Sequence, residues 1–176
     1  MKKIISALLM ASSLFASNNI YLDKKDYSNN DFRIFAGIDG KYAYFNSDIT
    51  TDQTMVSYGL YVGLPIFNDY ELIINKNQDN TRDFTINQQS ITINMPLDSR
   101  QSRRAYLGIK AGNGTVDFDD NIADLDNKFY AIHIGKRYKY TRHYRVRIEL
   151  EATNYRYDNN INDTAFSFNY GFEYRF

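Results

Sequence analysis

The sequence predicts an all-β protein, an eight-stranded antiparallel up-and-down transmembrane β-barrel. Three observations predict it: an N-terminus of the secretory type, a polar composition rich in aromatic rings, and segments that alternate apolar with polar residues. The 176 residues include 16 Tyr and 12 Phe, yet their mean hydropathy is -0.54. In a membrane barrel half of each strand faces lipid and half faces a polar interior, so this composition is compatible with a full membrane span.

The N-terminus has the organisation of a secretory signal peptide. A basic start is followed by an apolar run over residues 4–11 and by Ala16, a small residue suited to cleavage. A transmembrane helix needs about 20 apolar residues, and this run is shorter. We therefore expect a signal peptide over 1–16, a periplasmic N-terminal segment over 17–30 and the barrel over 31–176.

The last segment of the chain alternates strictly between rings and small or polar residues. Its aromatic positions are Phe166, Phe168, Tyr170, Phe172, Tyr174 and Phe176. This pattern predicts a strand with one face of rings. On a soluble edge strand such a face would be an aggregation hazard, whereas a lipid-facing strand requires it. The segment resembles the closing strand of bacterial outer-membrane barrels, and the resemblance implies that these rings form the signal read by the barrel-assembly machinery.

Five other segments alternate clearly, at about 31–45, 54–66, 103–112, 128–138 and 143–155. Such alternation predicts strands with one lipid-facing and one interior face. The predicted lipid-facing residues are Phe32, Ile34, Ala36, Ile38, Tyr42, Tyr44, Val56, Tyr58, Leu60, Val62, Leu64, Ala105, Leu107, Ile109, Ala111, Tyr130, Ile132, Ile134, Tyr138, Tyr144, Val146, Ile148 and Leu150. Glycine and alanine concentrate on the opposite face, which suits the crowded lumen of a narrow barrel.

Two further strands are predicted at about 70–78 and 82–95, where the pattern is weaker. Phe84 and Ile86 have the opposite parity to Ile91 and the apolar residues that follow it. Either a bulge near 88–90 restores the alternation, or this hairpin extends past the membrane surface. Prolines close strands 2 and 4, where a missing amide donor breaks no central ladder.

A soluble, lipocalin-like barrel is the alternative architecture, with the apolar face turned inward around a ligand. Side-chain size argues against it, because placing the large Phe and Tyr rings inside would overfill a narrow barrel. In the membrane barrel the turns near 66–69, 96–102 and 139–142 are expected to be periplasmic. The loops near 46–53, 78–81, 113–127 and 156–163 are then expected to be external, and an even strand number returns the C-terminus to the periplasm.

Charged residues of both signs fall on the predicted interior face. The expected lumen charge network comprises Arg33, Asp39, Lys41, Glu71, Arg104, Lys110, Arg137, Arg145, Arg147, Glu149, Glu151, Glu173 and Arg175. An eight-stranded barrel is just wide enough for side chains to fill it, and charges there must be paired or hydrated. The network is expected to be a salt-bridged plug that stiffens the barrel; a narrow or gated ion path is the alternative.

Catalytic options are few. The chain has no Cys and two His, and neither His133 nor His143 lies near a recognisable nucleophile motif. We expect no enzyme activity, no catalytic residue and no cofactor, with His133 as a hydrogen-bonding lumen residue. Activity on lipid remains an alternative, because some small barrels of this architecture modify lipid A.

An acidic segment between residues 115 and 128 is a weak candidate for a hard cation. It carries Asp117, Asp119, Asp120, Asp124 and Asp126. The segment is not an EF-hand, because Ile122 stands where the turn glycine belongs and Lys128 where the bidentate glutamate belongs. A solvated acidic loop is the simpler interpretation; calcium or magnesium bridging the loop to lipopolysaccharide phosphates is the sharper one.

The mature chain as a whole resembles small eight-stranded outer-membrane proteins of the OmpA and OmpX type, without the periplasmic domain that some carry. The resemblance implies a structural or surface-interaction role, with external loops as the contact surface. A minor pore and a lipid-modifying enzyme are the alternative functions. Outer-membrane lipid, lipopolysaccharide, the assembly machinery and host or surface ligands are the expected partners of a monomer. The formal charge of zero argues against nucleic acid.

Overall fold

The computed structural model describes residues 34–46, 53–66, 70–97, 105–118, 125–141, 143–158 and 161–176. Within these ranges the chain forms eight strands: β1 (Phe35–Asn46), β2 (Gln53–Pro65), β3 (Glu71–Asn80), β4 (Phe84–Pro96), β5 (Ala105–Phe118), β6 (Leu125–Lys139), β7 (Tyr144–Tyr157) and β8 (Asn162–Arg175). None of the described residues belongs to a helix that could span a membrane. The predicted signal peptide and N-terminal segment, residues 1–30, lie outside these ranges, as do Phe32 and Arg33.

The strands close into a barrel, which confirms the predicted fold class. Each pairs antiparallel with its neighbour in sequence, and β1 pairs with β8. Following the register once around the barrel from Leu107 leads to Asp117 on the same strand, a shear of ten residues. For eight strands this shear corresponds to a tilt of about 40°. Pro65 and Pro96 are the last residues of β2 and β4, as predicted.

The two ends of the barrel differ. The terminal end holds Phe35, the two strand-closing prolines and Arg175; the distal end holds Asn46, Phe84, Phe118 and Tyr157. Over the terminal half, apolar side chains point outward and polar ones inward, so that Leu60 is 66% exposed while Glu149 on the inner face is 3% exposed. This is the arrangement of a barrel surrounded by lipid.

The distal half has the reverse arrangement on β4, β5 and β6. Its inward side chains form one apolar cluster, the distal cap: Ala43, Phe45, Met55, Phe84, Ile86, Val116, Phe129, Tyr155, Tyr157 and Ala165. The outward side chains at this end of β4, β5 and β6 are polar, among them Asn87, Asn113 and Lys128, all exposed. Apolar inside and polar outside is the arrangement of a barrel in water, so the distal part of β4, β5 and β6 belongs to a region beyond the lipid.

The change from an apolar to a polar outer face explains why the sequence pattern of the two weakly predicted strands, β3 and β4, is irregular. The pairing of β4 with β3 and with β5 runs without a bulge from Thr85 to Asn94, so the predicted bulge is wrong, and the alternative of a hairpin that extends past the membrane surface remains. Phe84 and Ile86 point inward because the surroundings of the barrel change along the strand, while the register does not. Similarly, β5 extends to Phe118 and β6 begins at Leu125, so the predicted loop over 113–127 is too long.

Large rings inside the barrel contradict the argument that they would overfill it. Four inward rings lie directly across from glycines on the neighbouring strand, in the pairs Phe35–Gly63, Tyr61–Gly37, Tyr106–Gly135 and Phe129–Gly112. A Cβ added to Gly37, Gly63 or Gly135 would lie 2.3 Å from the facing ring. Each ring therefore occupies the space left by a glycine, and the small residues of the inner face make room for the rings.

The outward face of β7 provides a test of the membrane-facing surface. The outward apolar side chains of the barrel form the apolar belt. Ile148 lies near the middle of this belt and Tyr144 at its terminal edge. We expect Ile148→Arg to lower the free energy of unfolding from lipid vesicles by about 2 to 4 kcal/mol, and Tyr144→Arg by about 0 to 1 kcal/mol. Urea titration of both variants measures the difference. A soluble barrel with an apolar interior would not produce this dependence on depth, so equal losses would contradict the transmembrane assignment.

Candidate functional site

The charged interior brings most of the predicted network together. Arg33 and Arg104 lie outside the described residues. The structure places the other predicted members on the inner face: Asp39, Lys41, Glu71, Lys110, Arg137, Arg145, Arg147, Glu149, Glu151, Glu173 and Arg175. Ten of them, all except Arg175, lie in three groups of ion pairs or hydrogen bonds across the lumen.

Arg147 and Glu149 of β7 form the central group. The Arg147 guanidinium lies 3.1 Å from an Asp39 carboxylate oxygen and 3.7 Å from Glu149, and it stacks over the Tyr61 ring with 3.9 Å to the centroid. Glu149 accepts a hydrogen bond of 2.7 Å from the Tyr106 hydroxyl. A buried carboxylate is tolerated only with such compensation, so the rings contribute polar atoms as well as volume.

Glu71 and Glu173 form the group toward the terminal end. Glu71 pairs closely with Arg137 and lies 3.9 Å from the Arg145 guanidinium, which is 3.6 Å from Glu173. The Tyr61 hydroxyl donates to Glu173 at 3.4 Å and thereby connects this group to the central one. Four strands, β3, β6, β7 and β8, contribute these charges, so the ion pairs fix the strands against one another across the lumen.

The third group lies beneath the distal cap. The Lys41 ammonium is 2.9 Å from an Asp79 carboxylate oxygen, which also accepts from Gln88 at 2.8 Å and from the Tyr155 hydroxyl at 3.3 Å. Lys110 pairs closely with Glu151. Tyr155 thus belongs to both regions, because its ring packs in the cap while its hydroxyl reaches the charges below.

Sequence reasoning missed several members of this interior. Asp79 is fully buried and is the partner of Lys41, yet it fell in the predicted external loop near 78–81, which is wrong at this point because β3 continues to Asn80. Tyr61 and Tyr106 were missed because large rings were assigned to the outer face. A usable signal was present: both have the same parity as the inward glycines on their own strands.

The distal cap crosses the lumen next to these charges. The Phe45 ring of β1 contacts the Phe84 ring of β4 at 5.7 Å and the Tyr155 ring of β7 at 5.5 Å between centroids. Neither β4 nor β7 is a neighbour of β1 in the sheet, so these contacts cross the interior. Phe129 of β6 completes the layer against Tyr155 at 5.7 Å. Rings from four strands therefore meet over the charged network.

The two histidines occupy different surroundings. His133 is buried in the lumen, where its Nε2 is 2.8 Å from the Asn94 side-chain oxygen, in keeping with the predicted hydrogen-bonding role. Glu149 and Glu151 lie 4.0 Å from its ring nitrogens. His143 is at the terminal end, stacked on Tyr174 with 5.6 Å between ring centroids. Nδ1 of His143 lies 3.0 Å from the Arg175 carbonyl oxygen, and the Thr141 hydroxyl accepts from the backbone N–H of His143, at 3.3 Å, rather than from its ring.

The acidic segment is only partly described. Asp119, Asp120 and Asp124 lie outside the described residues. Asp117 and Asp126 are in β5 and β6, where Asp117 accepts from Asn87 at 2.8 Å and Asp126 from Thr115 at 3.4 Å. Among the residues the structure covers, no group of three or more His, Cys, Asp or Glu side chains is placed to hold a metal ion. The cation site stays a prediction.

The aromatic row of β8 faces outward along the whole strand. Phe166, Tyr170, Phe172, Tyr174 and Phe176 are all exposed. Phe168 is partly covered. Tyr174 packs against Tyr144 and Phe176 with 5.2 Å between ring centroids in each case, which forms an aromatic edge at the terminal end. Such girdles mark the membrane interface in transmembrane barrels.

Removal of Phe176 tests the predicted assembly signal. The residue contributes one exposed ring and one backbone hydrogen bond, from its N–H to the Ile34 carbonyl at 3.1 Å. Burial of the ring is worth at most about 1.5 to 3 kcal/mol, so we expect the truncated protein to refold in detergent. If the assembly machinery reads this strand, its yield in the outer membrane of cells should nevertheless fall several-fold. Tyr144→Ala, which removes a neighbouring ring outside the signal, is the control; normal yields for both would contradict the signal.

The fold and interior together define a class, the eight-stranded transmembrane β-barrel with a filled polar lumen. Neisserial surface protein A superposes with a TM-score of 0.63 at 13% identity, over 81% of this chain and 97% of that one. The N-terminal barrel domain of OprF from Pseudomonas aeruginosa gives a TM-score of 0.50, also at 13% identity, over 81% and 97%. No protein-family model and no curated sequence matches the chain. At these identities the likeness shows the shared fold, that of small outer-membrane barrels.

Proposed function

We propose that the protein is a closed, non-conducting outer-membrane barrel whose distal half is a rigid surface for contacts outside the cell. The observation that carries the proposal is the distal cap, a ring layer that crosses the lumen directly above a buried ion-pair network. A pore needs a continuous hydrated path, and here both the charges and the rings are engaged with each other. The same packing makes the barrel stiff.

Membrane placement is supported by the outward apolar face and by the shared fold. On β8 the outward rings extend over ten residues, from Phe166 to Phe176, which at a 40° tilt is about 25 Å. This is the height of the apolar band in outer-membrane barrels. The secretory pattern of residues 1–16 supports export. We place the terminal end, which holds the C-terminus, in the periplasm.

The distal half is then the part that other molecules meet. From β3 to β6 its wall extends beyond the lipid with polar side chains outside and the cap inside, so this part of the wall does not need the membrane to keep its shape. Neisserial surface protein A is, as its name says, a surface protein. We extend that role to this chain, with the distal wall and the external connections as the contact surface. An enzymatic role has no support in the contacts of His133 or His143.

Conductance in planar bilayers tests the closed-barrel proposal. The purified protein should produce no steps above the bilayer leak at protein amounts where a porin of about 16 strands, which holds an aqueous channel, gives regular steps. Incorporation is verified by the heat-dependent shift of the folded band on gels, taken from the same vesicles. Stable steps from the wild-type protein would contradict the proposal and favour the narrow-pore alternative.

A further inference from the structure

The apolar belt is not level around the barrel. On β8 outward rings continue up to Phe166, and on β1 up to Tyr44. On β3 the outward apolar residues end at Ile74 and are followed by the exposed Lys76; on β4 they end at Ile91, next to the exposed Gln89. With the shear taken into account, the upper edge of the belt on β3 and β4 lies about 10 Å closer to the terminal end than on β8 and β1.

A polar groove lies on this lowered side. It has a volume of about 460 Å³ and opens on the outer wall, across the strands from β3 to β6, with Asp158, the residue after β7, at its far end. One row of cross-strand neighbours borders it: Lys76, Gln89, Asn113 and Lys128. The other border is formed by Asn87, Thr115 and Asp126. Between the rows lie Gln88, Gly114 and Asn127. Residues alternate between the two faces of a strand, so the side-chain positions of these three are on the inner face of the barrel.

The groove has the hydrogen-bonding groups of a sugar-binding site, and its two lysines favour a sugar that carries negative charge. Side-chain amides from neighbouring strands both donate and accept hydrogen bonds, which suits the hydroxyl groups of a saccharide. Lys76 and Lys128 stand at opposite ends of one row, three strand spacings or about 14 Å apart. An ammonium is a compact charge suited to phosphate. No aromatic or aliphatic side chain borders the groove in the way an acyl chain would require.

The height of the groove indicates where its ligand comes from. Lys76, Gln89 and Asn113 lie at about the level of Tyr42 and Phe166, close to the upper edge of the lipid-facing surface on the opposite side, which ends at Tyr44 and Phe166. Aromatic rings at that position mark the headgroup boundary. The groove is thus a lateral opening at headgroup depth, reached most directly by a molecule that is itself in the outer leaflet.

We propose that this groove binds the phosphorylated sugar headgroup of a glycolipid of the outer leaflet. The amides hold sugar hydroxyls, and Lys76 and Lys128 hold phosphates at the two ends. The headgroup descends on this side because the apolar belt is lowered there. This assignment rests on the membrane placement proposed above, but not on the lumen being closed.

The test is titration calorimetry with the full-length barrel refolded in detergent micelles. The probes are a phosphorylated oligosaccharide prepared by removing all acyl chains from lipopolysaccharide, the same oligosaccharide after phosphate removal, and a neutral soluble oligosaccharide. The double variant Gln89→Ala/Asn113→Ala should weaken binding of the phosphorylated probe about tenfold, as expected for two lost hydrogen bonds. Lys76→Ala/Lys128→Ala should reduce it to the affinity of the dephosphorylated probe.

The control variant is Asn46→Ala/Asn154→Ala, which removes two exposed amides of the distal half that do not border the groove. It should bind like the wild type. Equal binding by all variants would overturn the site. Equal affinity for the phosphorylated and neutral soluble probes would overturn the glycolipid and identify a free glycan as the ligand. Neither result depends on conductance, so failure here is separable from failure of the closed-barrel proposal.

Discussion

Glu149→Lys is expected to prevent stable folding or to lower the free energy of unfolding by about 3 to 5 kcal/mol, the usual cost of leaving a buried charge without its partner. Glu149 is 3% exposed and lies among the Arg147 guanidinium, the Tyr106 hydroxyl and the Asn169 amide. The substitution removes the acceptor for two hydrogen bonds. It also places an ammonium next to Arg147, so that attraction becomes repulsion in a medium where charges are poorly screened.

The temperature at which the folded band disappears on gels measures this effect. Ser167→Thr is the matched control, because Ser167 is also buried on the inner face and the change adds one methyl group without a charge. We expect the control to melt close to the wild type. If Glu149→Lys melted like the wild type as well, Glu149 would have to face solvent, and the register of β7 would be wrong.

The strands and their faces could be predicted from the sequence because alternation is a local signal. Tyr42, Ile109 and Ile132 each stand in an unbroken period of two, and each is outward in the structure. The alternation of apolar and polar residues does not show whether a face of the strand contacts lipid or water. Phe84 and Ile86 looked out of phase with Ile91 because lipid was assumed along the whole of β4, whereas the outer surface changes from lipid to water partway along it.

The charge network could be predicted only as a set of inward residues. Its pairings depend on register between strands that are not neighbours: Lys41 of β1 meets Asp79 of β3, 38 residues away in sequence. The positions of the interior rings were also hard to predict, because each ring needs a glycine across from it on the neighbouring strand. Tyr61 fits because Gly37 stands directly across from it, and a shift of one residue would turn its ring to the outer face.

Phe84→Ala is expected to lower the free energy of unfolding by about 3 to 5 kcal/mol, the cost of removing a large ring from a packed core. Phe84 is 3% exposed and contacts the rings of Phe45 and Phe118, each at 5.7 Å between centroids. Gln89→Ala, an outward and exposed change on the same strand, should stay within about 0.5 kcal/mol. Urea titration of the refolded variants gives both values.

The decrease in unfolding free energy caused by Phe84→Ala should not depend on the thickness of the lipid bilayer. The distal cap is held together by the hydrophobic effect in water, so the cost of Phe84→Ala should be the same in vesicles of short-chain and long-chain lipids. The cost of Ile148→Arg should increase with bilayer thickness, because the inserted charge then lies farther from either surface. If the Phe84→Ala loss also increased with thickness, the distal half would be embedded in lipid, and the reversal of its inner and outer faces would need another explanation.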